Sequence, residues 1–128
     1  MNKILIPFTV TREERAKIQE AYIAGRDAAD GEMIEYIFKN LPSVIKRLRG
    51  AEVGWMVELA TAAEGLFDLL KSPTLSKAGQ RDVTSALHYL CNPFEVIPDY
   101  IPGRGYADDA LVINACIASL RQRGAVEK

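Results

Sequence analysis

The chain has 128 residues, 48% of them hydrophobic and 26% charged, with 16 Lys+Arg against 17 Asp+Glu and a net charge of −1. That length suits one domain spanning 1–128 with a core that needs no metal or disulfide staple, and that composition excludes global disorder. Near-neutrality argues against a general nucleic-acid binder, which needs a basic surface to displace phosphate counterions.

The first residues able to form an element are Ile4 to Val10, apolar and β-prone but short. They read as an extended arm packed on the domain. Thr11 followed three residues later by Glu14 is a capping box, and it opens a helix to about Ala24, with Gly25 suited to a left-handed cap. Its apolar stripe, Ile18, Ala21 and Tyr22, is narrow, so this helix belongs on the bundle surface. Asp30 can cap a second helix through Asn40, with Met33, Ile34, Ile37, Phe38 and Leu41 on one face. Pro42 is expected to interrupt it. A short helix from Ser43 to Arg49 then ends in Lys46, Arg47 and Arg49 before Gly50. Cations there complement the helix dipole, and they also form a candidate patch for phosphate or acidic lipid.

The next helix has the clearest periodicity. Met56, Leu59, Ala60, Ala63, Leu66, Phe67 and Leu70 recur at three- and four-residue spacing from about Val53 to Lys71, with Trp55 as a boundary residue. Ser72-Pro73-Thr74 stops it. Ser76 can cap a further helix to about Cys91, facing Val83, Ala86, Leu87 and Leu90 inward. The last helix, Tyr106 to Arg123, is apolar nearly all round from Ala110 to Ala118, which places it among other helices. The expected fold is all-α: an irregular bundle of five to six helices with the last one central and a short extended N-terminal arm.

Two cysteines, Cys91 and Cys116, are too few for a disulfide framework or a zinc finger. They read as reduced buried thiols. With no apolar leader or small-residue cleavage site at Met1 to Pro7, a cytoplasmic location is expected. The most apolar run, Ala110 to Leu120, is about half the length needed to span a bilayer.

The connection from Asn92 to Asp109 is unlike a linker. Pro93, Pro98 and Pro102 each fix one backbone angle, Gly103 and Gly105 bracket Arg104, and Phe94, Val96, Ile97, Tyr100, Ile101 and Tyr106 are too apolar to leave in water. Tyr89-Leu90, Pro93, Ile97-Pro98-Asp99, Ile101-Pro102, Gly105-Tyr106 and Asp108-Asp109 resemble the signature of the YkvA-like domain of unknown function, found widely in bacteria. The resemblance covers about 53–120 and leaves 1–50 as variable N-terminal helices. Glu95 stands where that family usually has Asp, Gly103-Arg104 replaces an apolar pair, and His88 replaces an apolar residue. The resemblance implies membrane association through the apolar loop in many members. It implies no reaction.

Glu95, Asp99, Asp108 and Asp109 fall within fifteen residues. Each can serve a helix end: Asp108 and Asp109 lie in a first turn, where negative charge is favoured by about 0.3–1 kcal/mol. As oxygen ligands the four are also the candidates for a divalent cation such as Mg²⁺ or Ca²⁺, although their spacing matches no EF-hand loop. His88, the only histidine, reads as a solvated residue on the polar side of its helix, with Ser85 its near neighbour. No Ser/His/Asp grouping, phosphate loop or dinucleotide fingerprint appears, so no catalytic residue is expected and no cofactor beyond that cation. The expected function is a non-enzymatic interaction or scaffold module. Its binding candidates are Tyr100, Ile101, Arg104 and Tyr106 in the connection, with Lys46, Arg47 and Arg49. Expected partners are a protein or a second copy, and the alternative is peripheral attachment to a membrane surface.

Overall fold

A computed structural model describes residues 3–7, 9–92 and 106–124. Among them lie five helices and no strand: α1 (Arg12–Ala28), α2 (Gly31–Gly50), α3 (Gly54–Lys71), α4 (Lys77–Cys91) and α5 (Ala107–Gln122). The protein is an all-α bundle.

Local chemistry sets three of the five helix starts. The Glu14 amide donates to Thr11 Oγ1 at 3.1 Å and the Thr11 amide to Glu14 Oε1 at 3.0 Å, completing the capping box of α1. The Met33 amide donates to Asp30 Oδ1 at 2.9 Å and the Gly79 amide to Ser76 Oγ at 3.0 Å, so α2 and α4 begin on side-chain caps too. Each cap satisfies an amide that has no partner within its helix.

Two helices run further than local rules predict. α2 continues through Pro42 instead of breaking there. Pro42 is exposed, while Leu41, Val44, Ile45 and Leu48 around it are buried. A proline inside a helix costs about 3 kcal/mol. Burying four aliphatic side chains on one face returns about 1.5–3 kcal/mol each, which wins. α1 likewise passes through Gly25 to Ala28. Gly25 is no left-handed cap. It is where α1 meets α4, since a Cβ there would lie 2.5 Å from Ser85 Oγ.

The core is built from Ile37, Leu41 and Leu48 of α2, Leu59 and Leu66 of α3, Val83 and Leu87 of α4, and Ile113, Ile117 and Leu120 of α5, all fully buried. α5 is buried along most of its length, as a sequence apolar nearly all round predicts. It packs on α1, α3 and α4, and α4 shares the centre by touching all four other helices. The arm packs on this bundle through Ile4 and Val10, both buried. No described helix is long and apolar enough to cross a membrane.

Candidate functional site at the junction of α4 and α5

α4 ends and α5 begins at the same end of the bundle, and there Tyr89 and Asp108 of the motif meet. Asp108 and Asp109 occupy the first turn of α5, and both are fully buried. Full burial is the feature that helix-end chemistry alone did not predict, because a carboxylate leaves water only at high cost unless it is hydrogen-bonded. For Asp108 one donor is Tyr89 of α4, whose hydroxyl gives Oδ2 a buried hydrogen bond of 2.8 Å. That bond ties the last turn of α4 to the first turn of α5, and the dipole of α5 favours negative charge at this place.

Tyr106 directly precedes α5, and its hydroxyl accepts from Arg47 Nη1 at 3.2 Å. Two residues singled out as binding candidates thus meet each other, across 59 positions of sequence. The basic cluster is divided. Arg47 turns to Tyr106, and Arg49 pairs with Glu64 of α3, whose carboxyl is held below the usual range by that guanidinium. Lys46 is exposed beside a groove between α2 and α3. Glu95, Asp99, Tyr100, Ile101 and Arg104 lie outside the described residues. Among the described residues no three His, Cys, Asp or Glu side chains are gathered to hold a metal ion.

His88 is half-buried and not a free surface residue. Its ring lies 5.4 Å from that of Tyr36, and burial lowers its pKa while Asp30 pulls the other way. Its neighbour Ser85 turns to α1, donating to the Tyr22 carbonyl at 2.6 Å. Both cysteines are free thiols, and burial pushes each up to about 12. At neutral pH they are protonated and unreactive.

One polar centre escaped the sequence reading. Asp82 of α4 is fully buried and accepts from Ser119 Oγ at 2.8 Å and Arg123 Nε at 3.0 Å, with Arg26 Nη1 at 3.7 Å. It joins α1, α4 and the end of α5. Its charge, after burial itself and Cys116, helps push the Tyr22 phenol above its ordinary range. The available signal was its register: Asp82, Ser85, Ala86 and Tyr89 share one helical face, so an acid stood in line with core positions.

No curated protein and no solved structure matches the chain. Residues 83–115 match the family described as Protein of unknown function (DUF1232). The matched stretch takes in Tyr89, Tyr106, Asp108 and Asp109 and lies within the 53–120 span of the YkvA-like resemblance. The Tyr89–Asp108 junction therefore lies within the stretch that is similar to DUF1232, a family of unknown function to which YkvA-like domains belong.

Proposed function

We propose that the protein is a non-enzymatic interaction module that receives an amphipathic, acidic helix of a protein partner along the seam of α2 and α3. The observation that carries this reading is a surface aromatic pair, one ring exposed and the other partly buried. Phe38 of α2 is 45% exposed and meets Phe67 of α3 edge to face, with ring centres 5.0 Å apart. The Lys71 ammonium lies 4.0 Å from the Phe67 ring centre. Large aromatic surface left in water marks an interaction site more often than a structural one.

Beside the pair runs a groove of about 490 Å³ whose floor includes Pro42, Ile45 and Phe67. Lys46, Arg49 and Lys71 border it, against Glu64 and Asp68, leaving one net positive charge. Arg49 neutralises Glu64. An apolar floor with a basic margin suits a helix that presents apolar anchors at three- and four-residue spacing, flanked by acids. The buried acids Asp82 and Asp108 are engaged in joining helices, away from this groove.

Selection from a displayed library of helical peptides tests the reading. Enriched peptides should share apolar anchors with acidic flanks and should lose binding to Phe38→Ser and Lys71→Glu. Failure to enrich any such peptide, or equal binding to both variants, overturns it.

A further inference from the structure

A second concavity lies away from that seam, where the N-terminal arm crosses α1 and α5. It measures about 540 Å³, within the range of small-molecule sites. Ile18 and Tyr22 of α1 form one wall, Leu111, Ile117 and Ala118 of α5 another, and Leu5 of the arm borders it. Ala115 and Ala118 leave the space open, because each contributes only a methyl group where a larger apolar side chain would fill it.

Two independent features describe what would fit. Charge is the first. Lys3, Arg15 and Arg121 line the groove, and no carboxylate does so among the described residues, in a chain whose net charge is −1. The second is apolar exposure. Leu5 is 74% exposed although the neighbouring Ile4 is buried and fixed to α5 through both of its backbone polar groups. An anchored arm that holds a leucine out beside a groove of mixed apolar and polar lining leaves surface for a ligand to cover.

We infer that this groove binds a free long-chain carboxylate, its alkyl chain against Leu5, Leu111, Ala115 and Ala118 and its head group at Lys3 and Arg15. An alkyl chain is removed from water along the trough, and the carboxylate gains charge-assisted hydrogen bonds from cations at the rim. The occupant is a monomeric amphiphile and not a membrane surface, because the site is a bounded concavity between two helices and the arm.

Calorimetric titration of the full chain decides the matter. The ligands are octanoate, decanoate and dodecanoate below their micelle concentrations, with dodecyltrimethylammonium and acetate alongside. Dodecanoate should bind saturably, one per chain, and affinity should rise about threefold to fourfold for each added CH₂. The cationic surfactant should bind at least about tenfold more weakly, and acetate not at all. Arg15→Glu should weaken dodecanoate about tenfold or more, and Ala118→Trp should abolish binding by filling the trough. Both positions are exposed, so the fold should survive, with circular dichroism as the check. Equal affinity for the two surfactants, no effect of either variant, or binding only to phosphatidylglycerol vesicles would each overturn the inference.

Discussion

The side-chain amide of Asn114 embraces the main chain of Ile4. Its Oδ1 accepts the Ile4 amide at 2.8 Å and its Nδ2 donates to the Ile4 carbonyl at 2.9 Å. One side chain thus does for the arm what a neighbouring strand would do, and it explains how an extended segment packs with no strand beside it. Asn114→Leu should keep α5 helical but leave two partly buried backbone groups of Ile4 without protein partners. We expect a loss of about 1–2 kcal/mol and release of the arm. Hydrogen exchange at the Ile4 amide is the direct readout. Protection unchanged in the variant would show that burial of Ile4 alone fixes the arm.

Gly25 gives a prediction whose sign runs against helix propensity. In an isolated helix Gly→Ala stabilises by about 1 kcal/mol. Here the new methyl would meet Ser85 Oγ at 2.5 Å, and that hydroxyl already donates to the Tyr22 carbonyl at 2.6 Å. Gly25→Ala should therefore destabilise, by about 1–3 kcal/mol, as overpacking does. The cost should shrink when Ser85 is also changed to Ala. A double-mutant cycle by urea denaturation measures the coupling, and additive effects would place the clash elsewhere.

What could be read in the sequence and what could not divides along range. The caps at Thr11, Asp30 and Ser76 were legible because an oxygen and its amide are three residues apart and settle the matter between themselves. The apolar stripes of α3 and α5 were legible for the same local reason. Pro42 and Gly25 misled because tertiary burial at one and close helix approach at the other outweigh local preference. Asn114 stands as a polar residue within the apolar run of α5, and its reason lies 110 positions away. Asp108 and Asp109 were correctly placed in a first turn, but burial depends on what packs over them. Tyr89 was noticed as part of a motif and not as a donor. Arg47 and Tyr106 were both named as binding residues on separate grounds, and nothing local announced that they meet.

Asp82 and Glu64 make a controlled comparison. Each is an acid paired with arginine, one fully buried and one exposed. Asp82→Asn removes the charge that Arg26, Arg123 and Ser119 converge on and should cost about 1–3 kcal/mol. Glu64→Gln breaks a solvent-exposed pair and should cost below about 1 kcal/mol, less still in high salt. The two denaturation midpoints in urea, with and without added salt, check both statements. Equal losses would mean that the Asp82 cluster contributes no more than a surface pair.

His88 fixes a direction of pH dependence. Burial lowers its folded pKa, so below the ordinary histidine value the unfolded chain takes up the proton first. Its contribution is neutral above about pH 6.5, turns unfavourable as pH falls past that value, and levels off below the lowered folded pKa. Asp30 offsets part of the effect. His88→Phe keeps an aromatic ring against Tyr36 and removes the titration. Melting temperatures across mildly acidic pH should fall less steeply for the variant than for the wild type, and parallel curves would assign the acid sensitivity to other groups.

Tyr89→Phe tests the junction that lies within the DUF1232 match. The ring and its packing stay, and only the hydroxyl that gives Asp108 Oδ2 its 2.8 Å hydrogen bond is lost. A buried carboxylate deprived of a donor loses about 1.5–3 kcal/mol, more than a neutral acceptor would. Asp108→Asn should behave differently, since an amide oxygen can still accept from Tyr89 while the charge near the start of α5 disappears, a change of about 0.3–1 kcal/mol from the dipole. Tyr89→Phe should therefore be the more damaging of the two single changes, and it should add little when Asp108 is already Asn. If the conservative change at Asp108 proves the costlier, the negative charge itself holds this end of the bundle, and the tyrosine serves only as packing.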